Sequence, residues 1–177
     1  MTMIMTTRTI LLAATLAAAA GCSIPYTTPE QTISVPYSTF VPSAAAGATL
    51  PMLPAFSDQK APPTSFPVPA EAKKFKLEAL ALLLKMKNTG ALPLRMTLFL
   101  DKAGGDVYAK PPIGNPIELG AGSSADATLT LDPALLQADQ LQLGYKFGSA
   151  GSTTPVTIKD TDKIEVIYKI DVKAKII

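Results

Sequence analysis

Lys163-Ile164-Glu165-Val166-Ile167-Tyr168-Lys169-Ile170-Asp171-Val172-Lys173-Ala174-Lys175-Ile176 is the stretch that decides the fold. Ile164, Val166, Tyr168, Ile170, Val172, Ala174 and Ile176 recur at every second position. Glu165, Lys169, Asp171, Lys173 and Lys175 fill the gaps, with Ile167 the exception. Successive strand side chains point to opposite faces, so the alternation predicts a long strand with one face buried. A slip of one residue would carry Glu165, Lys169 and Asp171 into the core, which pins the register. The same period runs upstream. Leu92, Leu94, Met96, Leu98 and Leu100 alternate with Pro93, Arg95, Thr97, Phe99 and Asp101. Ala125, Ala127, Leu129 and Leu131 alternate with Asp126, Thr128 and Thr130, and Leu141, Leu143, Tyr145 and Phe147 with Gln142, Gly144 and Lys146.

Between these runs, Gly, Pro, Ser, Thr and Asp cluster at 101–106, 111–124 and 148–155 and read as turns and loops. One short helix is expected over 133–138, where Asp132 can cap and Pro133 suits the first helical position. Segment 70–88 reads two ways. Its residues are good helix formers and Asn88-Thr89-Gly90 would stop a helix. As a strand it places Leu80, Leu82, Leu84 and Met86 on one face and Phe75, Leu77, Ala79, Ala81 and Leu83 on the other. Short connections favour the strand, covered on two sides and joined to the next by a hairpin through 88–91. Together the runs predict an all-β chain, an antiparallel Ig-like β-sandwich with one short helix, over 70–177. Residues 82–94, with Asn88, Pro93 and Leu94, resemble the strand-Asn-turn-Pro-Leu-strand pattern of the water-stress domains in late-embryogenesis-abundant proteins. That resemblance implies an Ig-like sandwich and says nothing about activity.

Upstream the composition changes twice. Ten of the 16 prolines lie between Pro25 and Pro69. Proline fixes φ and cannot donate to a ladder, so 22–69 is expected to be an extended tether. Thr32-Ile33-Ser34-Val35 and Ser65-Phe66-Pro67-Val68 are candidates for edge strands, where proline is tolerated. Before it, residues 1–21 carry Arg8 and then an apolar run from Ile10 to Ala20, the layout of a secretory signal and too short to span a bilayer. The run closes on Ala19-Ala20-Gly21-Cys22. This is similar to the lipobox of bacterial lipoproteins, with Ala at position 19 where Leu is commonest. The resemblance implies cleavage between Gly21 and Cys22, diacylglycerol (with palmitate-type acyl chains) on the Cys22 thiol, and a membrane as the first partner. Ser23, in place of Asp, favours the outer over the inner membrane by resemblance to the sorting rule of diderm bacteria.

Composition removes much chemistry. The chain has no His, and Cys22 is its only Cys. No Cys/His zinc set, His-based triad or intrachain disulfide can be built. Sixteen Lys and Arg against 14 Asp and Glu give no field that would attract nucleic acid. Asp101 with Asp106, and Asp160 with Asp162, could offer oxygen ligands to calcium but read better as turn formers. Lys73, Lys74 and Lys76 form a basic cluster that could touch anionic headgroups, and read better as a solvated strand entrance. The expectation is a lipid-anchored, non-catalytic cell-envelope protein without cofactor or metal, which binds or helps assemble another envelope protein. The alternative is a periplasmic carrier or chaperone that holds an apolar ligand between its sheets.

Overall fold

The computed structural model describes residues 23–41, 49–68 and 76–175. They form two antiparallel sheets packed face to face. In the first, β12 (Lys163–Lys175) lies between β6 (Lys76–Asn88) and an outer strand in two pieces, β1 (Ser23–Thr27) and β2 (Gln31–Pro36); β9 (Ser124–Thr130) flanks β6. In the second, β10 (Gln140–Ser149) lies between β7 (Leu94–Lys102) and another outer strand in two pieces, β4 (Phe56–Lys60) and β5 (Thr64–Pro67); β8 (Ile117–Leu119) flanks β7. A two-stranded ribbon of β3 (Thr49–Leu50) and β11 (Val156–Thr157) closes one end.

The alternation that marks β12 places Ile164, Val166, Tyr168, Ile170 and Val172 in the core. β6 is a strand, and it lays Leu80, Leu82, Leu84 and Met86 beside them. Its other face is not covered among the described residues: Ala79 is exposed, and Ala81 and Leu83 are half-buried. The expectation of a strand covered on both sides is therefore corrected. Ala and one Leu among Lys85 and Lys87 make a face that water tolerates.

The expected hairpin through 88–91 is also corrected. β6 and β7 do not pair; the chain crosses there from one sheet to the other. Asn88 holds the crossing. Its side-chain amide donates to the carbonyls of Leu92 (2.7 Å) and Gly120 (3.1 Å), and its oxygen accepts from Gly90 N (3.0 Å) and the Tyr37 hydroxyl. Both Asn88 and Tyr37 are buried, and burial pushes the Tyr37 hydroxyl well above its ordinary pKa, so it stays a donor. Gly90 is required because a Cβ would stand 2.6 Å from the Tyr37 ring. A satisfied polar cluster of this kind joins three segments that apolar packing alone would not hold in one arrangement. The expected helix at 133–138 is one 3-10 turn, Pro133–Gln137, capped by Asp132 through Ala134 N at 2.9 Å. Five residues are too few for more than a turn.

The Pro-rich segment supplies the outer strand of both sheets. Each outer strand is broken at proline, Pro29 in the first sheet and Pro62-Pro63 in the second. Each break faces a central strand whose amide must still be satisfied. A hydroxyl serves in both places. Ile170 N donates to Thr28 Oγ1 (2.9 Å), and Tyr145 N donates to the Tyr108 hydroxyl (3.2 Å). Tyr108 reaches Tyr145 from the 3-10 turn Val107–Ala109, which lies over the outer face of the second sheet. Gly144 makes room for it, since a Cβ there would meet Val107 Cγ1 at 2.7 Å. Phe99, on the face read as polar, is buried under the same turn, its ring 5.5 Å from that of Tyr108.

Two stability measurements follow from this arrangement, both by urea melts of the chain from residue 22 onward. Ile170→Ala removes buried volume from mid-β12 and is expected to cost about 2–5 kcal/mol. Lys169→Ala, on the outer face beside Glu30, is expected to cost less than about 1 kcal/mol. Equal losses would contradict the burial pattern. Tyr108→Phe keeps the ring but strips the acceptor from Tyr145 N, and is expected to cost about 1–3 kcal/mol. Thr28→Val, a near-isostere at a half-buried site, should lose about 1 kcal/mol through Ile170 N. No change in either variant would show that the hydroxyls do not repair the breaks.

Candidate functional site

Gly21, Cys22, Lys73 and Lys74 lie outside the described residues. Their neighbours do not. Ser23 is the first residue of β1, so the position that would carry the lipid adjoins a strand directly, and Lys76 opens β6.

The carboxylate pairs serve turns. Asp106 accepts from Tyr108 N at 2.9 Å, and Asp101 pairs with Lys110 at 3.4 Å. Asp162 is buried and accepts from Lys159 N at 2.9 Å, while Asp160 points to solvent. Among the described residues no three acidic side chains converge on one point.

The described core side chains of the two sheets face one another. Leu82, Met96, Leu143, Phe147, Ile164 and Val166 are fully buried, and Phe40 stacks on Phe147 at 4.0 Å between ring centroids. Between the two broken outer strands is a hollow of about 140 Å³, beside Phe66, Tyr168 and Ile170. That is the size of a single small ring, not of a lipid tail. The Tyr145 hydroxyl is buried without a hydrogen bond of ordinary geometry, although Thr64 is near enough to influence it; burial is the larger effect and pushes the hydroxyl well above its ordinary pKa.

What remains is surface, and its ends differ. On the outer face of the first sheet, Lys163 pairs with Glu165 and Lys169 with Glu30, each at 2.8 Å. These lysines hold the Glu165 and Glu30 carboxyls below the usual range through hydrogen bonding and charge. Further toward Ser23, Thr27 donates to Asp171, and Lys173 is exposed with no ion pair among the described residues. A shallow hollow of about 460 Å³ lies there against Pro25, Ala79, Ala81 and Lys173. On the second sheet, Lys60 and Lys146 lie over the Tyr108 and Phe99 rings, each 4.9 Å from the centroid, and Arg95 meets Glu118 at 3.4 Å in full exposure. Sequence reading missed Thr28, Tyr37 and Tyr108, and took Asn88 for a turn residue rather than a buried bridge. Gly144 in a strand of large side chains is the one signal that something covers it.

No family model matches the chain, and no curated protein matches it. Solved structures share its architecture faintly. A Bacillus endospore appendage pilus protein is 12% identical with a TM-score of 0.36, over 90% of this chain and 97% of its own. The C-terminal carbohydrate-binding module of a marine laminarinase from Zobellia galactanivorans is 10% identical with a TM-score of 0.34, over 80% of this chain and 99% of its own. A chain of infectious bursal disease virus is 14% identical with a TM-score of 0.34, over 95% of this chain and 36% of its own. These likenesses carry no inference about function; the chain is an antiparallel β-sandwich.

Proposed function

We propose that this is a lipid-anchored, non-catalytic protein of the bacterial cell envelope, held on a membrane through Cys22, whose sandwich binds or helps assemble another envelope component. One observation carries the reading: the only cysteine of the chain follows Ala19-Ala20-Gly21 at the end of an apolar run of signal-peptide length. Cleavage before Cys22 would leave every described strand intact, because β1 begins at the next residue. Two or three acyl chains on one residue anchor firmly, where one would bind only marginally. Ser23 favours the outer membrane.

The absence of His and of a second Cys supports a binding role over catalysis, as does the use of the loop carboxylates in turns. The carrier reading drew on a strand apolar on both faces. The outer face of β6 is open among the described residues, and no specific observation favours that reading.

Mass spectrometry of the mature N-terminus, from membranes of the producing bacterium, tests the anchor. The expected result is a chain that starts at an acylated Cys22 and, in Cys22→Ser, a precursor that keeps its signal. An unmodified Cys22, or a cut elsewhere, would overturn the reading. Pull-down of the tagged protein from gently solubilised envelopes, repeated with Cys22→Ser, is expected to recover a partner that depends on the anchor.

A further inference from the structure

We propose that β9 is a docking edge for a second copy of the chain, and that two β9 strands pair antiparallel about Ala127 to join two first sheets into one. The inference goes beyond the anchored reading and does not depend on it, since β1, which adjoins Cys22, lies on the opposite edge of that sheet.

The free backbone of this edge carries it. β9 is the outermost strand beside β6, and no described strand pairs with its other side. Leu131 N donates to Leu80 O and Asn88 N to Ser123 O, each at 2.9 Å. Bonding alternates along an antiparallel strand, so Ala125, Ala127 and Leu129 turn their backbone groups to β6. Ser124, Asp126, Thr128 and Thr130 turn theirs outward, and all four residues are exposed. No described residue bonds to those outward groups. The other outer strands of the two sheets are broken at proline or are three residues long. β9 has seven residues without proline or glycine, the form of edge that accepts another strand.

The occupant is a second copy because the edge complements itself in one register. With Ala127 on the two-fold axis, Asp126 lies opposite Thr128 of the partner subunit and Ser124 opposite Thr130 of the partner subunit. Every opposed pair then has outward N–H and C=O groups to exchange, and all four outward residues of each strand are used. Centring on Asp126 would set two like charges directly opposite, which destabilises a pair. Centring on Thr128 would leave Ser124 opposite Asp132, beyond the end of β9. In the Ala127 register each Asp126 carboxylate meets a threonine hydroxyl, which can donate to it, and Lys85 lies opposite it on β6. The core side fits as well. Gly114 already crowds Leu129, where a Cβ would stand 2.5 Å from Leu129 Cδ2. A small side chain fits best beside that leucine, and the register supplies Ala125 of the partner subunit. Ala125 and Ala127, half-buried against the core, gain cover in return.

The test uses the chain from residue 22 onward with Cys22→Ser, which holds every described strand. Sedimentation velocity at up to about 100 μM reads its mass, and two chains per particle are expected. Thr128→Pro removes an outward donor and no bond to β6. It should keep the strand signal in circular dichroism and sediment as one chain at the same concentration. Ala127→Cys sets two thiols across the axis with Cα atoms about 4.5 Å apart, within disulfide reach, and should cross-link under a mild oxidant. Ser124→Cys, about 20 Å from its copy along the strands, should not. A parent that sediments as one chain, a dimer that survives Thr128→Pro, or a cross-link through Ser124 as strong as through Ala127 would overturn the pairing. If Thr128→Pro does not fold, the cross-link decides alone: its absence at Ala127 overturns the pairing.

Discussion

The fold depends on two central strands, β12 and β10, each of which must keep its backbone paired on both sides while one neighbour is broken by proline. An unpaired buried amide costs about as much as a core cavity, so a sheet cannot leave one beside its hydrophobic face. Thr28 answers for Ile170 and Tyr108 for Tyr145, and the two repairs differ in reach. Thr28 is local, one residue before its proline. Tyr108 comes from a turn after β7 and brings with it Val107 and the cover over Phe99 and Gly144. The second sheet therefore owes its outer packing to the same contact that mends its edge.

The breaks have a use. An outer strand with continuous free amides invites pairing with another chain, and proline, charge and short length all discourage it. Both long edges here are divided into pieces of four to six residues. β8, the edge strand beside β7, is three residues long. Of the strongly alternating strands, β7, β10 and β12 sit inside the sheets, where their register is held from two sides, while β9 is an unbroken edge of seven residues.

This explains what was legible in the sequence. β12, β7, β9 and β10 announce themselves because one face of each is core, and a period of two records that. The crossing at Asn88 was read as a hairpin because turn residues show that a chain reverses, not which sheet it enters; that is decided by Asn88 meeting Tyr37 across 51 positions. The Pro-rich segment was read as a tether for a related reason. Proline counts the donors a strand loses and is blind to hydroxyls that stand in for them. Ile33, Val35 and Phe66 were the visible hints that this segment has a face to bury. The proposed lipid site at Cys22 rests on residues alone and lies outside the described strands.

The pairing of Ser23 with Lys175 has a consequence for how the chain comes to be folded. The first described strand of the sandwich finds its partner in the last, and β2 and β6 need that same partner. Until β12 has been made, β1 and β2 have no partner in the first sheet, although β6 can already pair with β9 and the second sheet needs no strand beyond β10. Contacts this remote in sequence form slowly, after the shorter loops. The outer pieces of the first sheet therefore stay unpaired until a strand far downstream has been made, and the first sheet is completed after the second.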